Sequence, residues 1–240
     1  MAQLRSEVMP PATRRPTTPG GYDSCMCTRY ISPEDAAIER FWHVGARDIW
    51  RMREVFPRQP GAFIRAARDS TERELVVGTW GLIPWFSKTP TLTYATCNAR
   101  SEELADKASY KHPWARGQRC IIPAESFFEP NWESGKHIPW RFRRADGELW
   151  GLAGLWNTWT DKATGEIHES YTMLTINADT HPLMNRMHRP DPKRPPEMQD
   201  KRSVVSIALS AVDTWLNGAL EEAKELVQLP AVELFEAEPA

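Results

Sequence analysis

The chain lacks any long apolar run. Nowhere in its 240 residues does a stretch approach the ~20 consecutive apolar residues that span a bilayer. Residues 1–25 also lack the apolar centre of a secretory signal. No membrane partner is expected, and the expected compartment is the cytoplasm. Cysteine is scarce. The four residues Cys25, Cys27, Cys97 and Cys120 contain no C-x-x-C pair, and Cys-x-Cys with scattered histidines misses the ligand spacings of a zinc site. Neither a metal nor a cofactor is expected. Charge of one sign is missing too: the net value of -2 is not the overall footprint of a nucleic-acid binder. It leaves room for a local basic surface. Between residues 186 and 202, Arg186, Arg189, Lys193, Arg194, Lys201 and Arg202 outnumber Asp191, Glu197 and Asp200, a run that also reads as a solvated loop. There is no internal repeat.

An apolar content of 41% and a charged content of 26% suit a globular protein with one sizeable core. Eleven tryptophans are many for this length; most should bury large areas, and a few are candidates for stacking on bases or sugars. Residues 1–25 hold Pro10, Pro11, Pro16, Pro19, Gly20 and Gly21, and read as a disordered leader or translated upstream sequence. The main domain is expected over 26–228, and the acidic tail over 229–240 is expected to be loose.

Within the domain, Ser32-Pro33-Glu34 predicts a helix start with Ser32 as cap. Strands are predicted over 61–67 and 74–80, and a short helix over 101–107. Cys120–Pro123 and Ser126–Glu129 read as further short strands, and 138–143 with 148–156 as a hairpin around Ala145-Asp146-Gly147. Tyr171–Ile176 and Val204–Ala208 read as strands, 181–202 as a long irregular loop, and Val212–Val227 as a last helix with one apolar face. Many short strands and few helices give an α+β class: a single domain on a bent, barrel-like mixed β-sheet flanked by a few helices.

The chemistry begins at Met26-Cys27. An initiator methionine is efficiently removed before a small residue, so a start at Met26 leaves Cys27 as the N-terminus. An N-terminal cysteine carries an amine and a thiol on adjacent carbons, and that pair closes a thiazolidine ring on an aldehyde. Taken singly, Cys27 reads as a small buried residue, Asn98 as a helix cap, Glu129 as a surface carboxylate and His188 as a solvated imidazole. Arg100 reads as a salt-bridge partner, and Trp80 and Trp85 as core.

These residues lie in an ordered set of short segments: Trp80-Gly81-Leu82-Ile83-Pro84-Trp85, Asn98-Ala99-Arg100-Ser101-Glu102, Arg119-Cys120-Ile121-Ile122-Pro123-Ala124, Phe127-Phe128-Glu129, Gly151-Leu152-Ala153-Gly154-Leu155-Trp156 and Met187-His188-Arg189-Pro190. In this order, from Met26 to about residue 220, the chain resembles the SRAP family, the SOS-response-associated peptidase or abasic-site processing proteins. The resemblance implies a monomeric sensor of abasic sites that binds single-stranded DNA and crosslinks to it. It makes Cys27 the nucleophile and Asn98, Glu129 and His188 its active-site companions. Arg29 and Arg100 match phosphate-holding arginines, Thr175 a site-lining position, and Trp80 and Trp85 a segment bordering DNA. The family name reflects a proposed autoproteolytic removal of leaders such as residues 1–26. Alternatives are a cysteine-type peptidase, with His188 as base to the Cys27 thiol, and a non-catalytic single-strand binder. Two departures stand out: Thr28 occupies a position where the family usually has glycine, and Glu54 stands in for an asparagine, where it would repel a phosphate.

Overall fold

A computed structural model describes residues 27–240 apart from 47, 48, 69 and 71, so the expected leader lies outside the described residues. The strands are β1 (Tyr30–Ser32), β2 (Gly45–Ala46), β3 (Arg53–Val55), β4 (Pro60–Ala66), β5 (Arg73–Trp80), β6 (Asn98–Arg100) and β7 (Arg119–Ala124). They continue with β8 (Ser126–Asn131), β9 (Ile138–Arg144), β10 (Trp150–Thr160), β11 (Ile167–Asn177), β12 (Arg202–Val204) and β13 (Phe235–Pro239). The helices are α1 (Asp35–Trp42), α2 (Lys111–Ala115), α3 (Val212–Asn217) and α4 (Leu220–Glu225). Among the described residues no helix is long and apolar enough to cross a membrane.

The larger sheet runs β12-β11-β10-β7-β4-β5-β2, and β5 pairs back onto β11 through Ser170↔Thr79 and Tyr171↔Trp80. That pairing closes β11, β10, β7, β4 and β5 into a barrel and removes their free edges. The smaller sheet runs β13-β9-β8-β1-β3. Between β7 and β8 the chain leaves the barrel and enters the smaller sheet, so the expected bent, mixed sheet is what forms. Strands β7, β10 and β11 are buried over most of their length, which suits their unbroken apolar runs, Cys120–Pro123 and Leu152–Leu155 among them. At Gly154 an added Cβ would lie 2.6 Å from the Thr172 carbonyl oxygen and 2.8 Å from Cys120 Sγ, so only glycine lets these strands pack.

Several local expectations are corrected. Helix α1 starts at Asp35 without a Ser32 cap; Ser32 belongs to β1 and accepts a hydrogen bond from Trp50 Nε1 at 2.9 Å. The 101–107 segment holds only a 3₁₀ turn over Ser101–Glu103. The predicted hairpin does not form: β9 pairs with β8 and β13, while β10 pairs with β7 and β11. The turn at Gly147 (φ 76°) instead hands the chain from one sheet to the other. The last helix is split at Gly218, whose carbonyl accepts a bond from Arg119 Nη2 at 2.5 Å. A Cβ at Gly218 would lie 2.5 Å from the Thr214 carbonyl. Helix α2 has no counterpart among the expected elements.

The tail expected to be loose is also ordered. Phe235–Pro239 pairs antiparallel with β9, and Glu238 bonds Arg141 (2.7 Å) and Arg143 (2.5 Å). Phe235 supplies the apolar anchor, with its ring 5.2 Å from Trp150 and 5.5 Å from His181. Its acidic residues alternate along a strand facing a basic one, a pattern that composition alone does not expose.

Candidate active site

The site forms where the smaller sheet meets the β6 edge of the barrel. Strand β1 pairs with β8 through Tyr30↔Phe127 and Ile31↔Ser126, and Phe128 N–H donates to the Arg29 carbonyl at 3.0 Å. Following this antiparallel direction outward carries Cys27 toward Glu129. Strand β6 pairs parallel with β11 through Met173↔Asn98 and Thr175↔Arg100. Asn98 and Arg100, two residues apart, therefore share one face. Asn98 reaches across to the smaller sheet, where its Nδ2 donates to the Cys27 carbonyl at 2.8 Å.

His188 arrives on the irregular 181–202 loop. Its Nε2 lies 2.9 Å from Glu129 Oε2, and its backbone N–H donates to the Pro130 carbonyl at 2.6 Å. Glu129 is 2% exposed and His188 9%. His188 has φ 62°, a left-handed conformation unusual for a residue with a side chain. Lys201, in sequence one member of a basic run, holds that conformation. Its buried ammonium donates to the carbonyls of Met187 and His188, each at 2.6 Å. Asp179 in turn accepts from the backbone N–H groups of Asp200 and Lys201 at 3.0 and 2.8 Å. Burial pulls the Lys201 ammonium below the usual lysine range, and Asp179 opposes this. A buried charge needs partners; these two carbonyls are what it finds.

Cys27 is fully buried. Burial first, then the adjacent Glu129 charge, pushes its thiol well above the ordinary range. Its Sγ donates weakly to the Arg29 carbonyl at 3.7 Å. Two side-chain atoms here, Asn98 Oδ1 and His188 Nδ1, are buried without a hydrogen-bond partner. Such orphans are uncommon in folded proteins, where buried polar side-chain atoms are paired with protein groups or ordered water. Cys27, Asn98, Glu129 and His188 are thus brought together. Among the described residues no cluster of three or more His, Cys, Asp or Glu is arranged to hold a metal ion.

The residues expected at the DNA divide. Arg29 lies over Phe128, its guanidinium carbon 3.7 Å from the ring centroid, and its Nε is 2.5 Å from Glu54 Oε1. Arg100 pairs with Asp200 at 2.7 Å and is partly exposed. Trp85 stands 61% exposed, edge-on to His112 and beside Phe86. Trp80 is wholly buried, donates through Nε1 to the Cys97 carbonyl at 2.8 Å and meets Tyr30 edge to face. It supports the Asn98 segment from behind and presents no face for stacking. Thr175 is also buried, and its carbonyl accepts from Arg202 Nη2 at 2.9 Å. Thr28 is exposed and not among the residues with positive φ, so its position does not require glycine.

The chain is similar to several known proteins. Abasic site processing protein YoqW of Bacillus subtilis is 35% identical over 121 residues, covering 50% of this chain and 52% of that protein. Abasic site processing protein HMCES of Xenopus tropicalis is 28% identical over 181 residues, covering 67% of this chain and 50% of that protein. The chain spans about half the length of the curated relatives it matches. A crystal structure of a protein from Bordetella bronchiseptica superposes with a TM-score of 0.78 at 34% identity, over 89% of this chain and 99% of that one. Residues 26–239 match the SOS response associated peptidase (SRAP) family, a span that opens one residue before the buried thiol and takes in the final strand. The chain belongs to that family.

Proposed function

We propose that this protein senses abasic sites in single-stranded DNA and, once Cys27 is its N-terminal residue, links to them covalently as a thiazolidine. The observation that carries the reading is the convergence of Asn98 and the Glu129–His188 pair on Cys27, with Asn98 Oδ1 and His188 Nδ1 unpartnered.

An abasic deoxyribose equilibrates between a closed hemiacetal and an open aldehyde. Opening needs proton transfer at the ring oxygen and the anomeric hydroxyl, work suited to a carboxyl group and an imidazole in contact. The Cys27 amine, with a reference pKa of about 7.7–8.0, then attacks the aldehyde carbon. Water leaves and a Schiff base forms. The thiol adds across the carbon–nitrogen double bond: sulfur bonds to carbon, its proton passes to nitrogen, and the ring closes. Asn98 fixes the Cys27 carbonyl and has a free amide oxygen to accept from the amine. Arg29, Arg100 and the exposed Trp85 supply contacts to backbone and bases.

The peptidase alternative needs a thiol activated by His188. Here the imidazole bonds Glu129, and the thiol is held protonated by burial. Leader removal, by the protein itself or by another agent, is part of the proposal.

The test incubates protein beginning at Cys27 with an oligonucleotide carrying one abasic site, followed by a denaturing gel. A denaturant-resistant adduct is expected from the wild type, and none from Cys27→Ala or from protein with an acetylated α-amine. No adduct from folded wild type sinks the reading. An adduct that survives amine acetylation points to a thiol-only reaction.

A further inference from the structure

The two arginines assigned to DNA phosphates already hold carboxylates. Arg29 pairs with Glu54 and Arg100 with Asp200, with the arginine side chains 33% and 41% exposed. A carboxylate offers a guanidinium the same two-oxygen edge that a phosphodiester does. Both acids are presented by structure. Glu54 lies on β3 opposite Ile31, one strand away from the chain that leads out to Arg29. Asp200 has φ 59°, and its backbone N–H is tied to Asp179 at 3.0 Å.

Three guanidinium groups surround Asp200: Arg100 at 2.7 Å, Arg202 at 3.3 Å and Arg194 at 3.8 Å. Arg202 is also bound by Glu102 at 2.7 Å, and Arg194 by Asp191 at 3.6 Å. Asp200 is therefore the acid that neutralises Arg100. The cluster adjoins the reactive pocket, since Arg100 shares a strand face with Asn98 and Asp200 precedes the lysine that holds His188.

Resting on the function proposed above, we infer that Glu54 and Asp200 occupy the phosphate subsites of the resting protein, and that a DNA strand binds by displacing them. Each displacement offsets part of the gain from the phosphate contact. Each freed carboxylate also takes up cations, which cancels part of the counterion release that drives binding. Intact strands are consequently held weakly and leave, whereas a strand bearing an aldehyde is retained by its covalent bond. The acids thus favour damaged over undamaged single strands. Arg194, which no family motif covers, becomes a further phosphate contact once Asp200 is displaced.

The test measures equilibrium binding of a labelled oligothymidylate without abasic sites, over a series of NaCl concentrations, for wild type, Glu54→Gln, Asp200→Asn and the double variant. Asparagine tolerates the left-handed conformation at 200, and melting curves confirm folding. Each single variant is expected to bind about 2- to 10-fold tighter. The log–log salt slope should steepen by up to about 0.7 per freed arginine. Arg100→Ala added to Asp200→Asn should remove most of that gain, and Arg194→Ala the remainder. Unchanged or weaker binding by the folded variants, with unchanged slopes, overturns the inference. The wild-type adduct assay run alongside separates the two ideas: an adduct with no gain in the variants defeats the exchange alone, and no adduct defeats the function it rests on.

Discussion

The Lys201 ammonium sits 2.6 Å from the carbonyl oxygen of His188, in a region that is buried on both sides. Replacing Lys201 by Met orphans two carbonyls, at about 1–3 kcal/mol each. It also frees His188 from its left-handed backbone. The expected result is a lower melting temperature and a crosslinking rate reduced at least about tenfold, since a misplaced general acid loses much of its 10²–10⁴-fold effect. Affinity for intact strands should hold steady, because Lys201 is buried. A parallel fall in affinity and rate would assign Lys201 to general stability.

Glu129→Gln should cut the adduct rate by about 10²–10⁴-fold and shift the reactivity of the Cys27 thiol. The folded thiol is raised above its ordinary range by burial and by Glu129. Its contribution to stability is therefore complete below the ordinary thiol range and is lost as pH rises from there through the raised folded value. Removing the Glu129 charge lowers the folded value, so iodoacetamide labelling followed by mass spectrometry should begin at lower pH in the variant. An identical onset would leave burial as the cause and rule out the Glu129 charge.

Asn98→Ala removes the bond to the Cys27 carbonyl and the free amide oxygen beside it. Loss of the buried hydrogen bond should destabilise the fold by about 1–3 kcal/mol. Adduct formation at saturating DNA should slow more than at Asn98→Asp, which keeps an acceptor there. Equal rates in the two variants would show that the oxygen plays no part.

Gly154→Ala forces a methyl group against the Thr172 carbonyl and Cys120 Sγ in the barrel wall. About 1–3 kcal/mol of overpacking follows, measurable by urea unfolding. Phe235→Ala tests the tail: losing its contacts with Phe127, Phe142, Trp150 and His181 should cost about 2–4 kcal/mol. A neutral result would mean the last strand contributes little.

Much of the strand inventory is legible because the barrel strands are apolar runs bounded by turns, and the ordered motifs name the four residues, Cys27, Asn98, Glu129 and His188, that the fold brings together. What escaped was set by partners distant in sequence. Trp80, read singly as core but expected at the DNA from the resemblance, is drawn inward by the Tyr30 ring and the Cys97 carbonyl. Thr175 is likewise turned inward against Arg202. The 138–156 segment has the composition of a hairpin, but Trp150 packs on Phe127 and Phe235 and so directs the chain to the other sheet. Lys201 carried no local signal, since a buried lysine and a solvated one are written identically. Its role follows from the left-handed residue it serves, which only the folded chain reveals.

The hydroxyl groups of Tyr30 and Tyr171 meet at 2.5 Å in the interior, one from each sheet. Burial drives both phenols well above their usual range, so they stay protonated and share this contact. A seam of this kind leaves neither sheet a dry surface of its own to retreat to. Heat should dissolve barrel and smaller sheet in one calorimetric step, and Cys27, three residues upstream of Tyr30, keeps its place beside Glu129 until the whole molecule gives way.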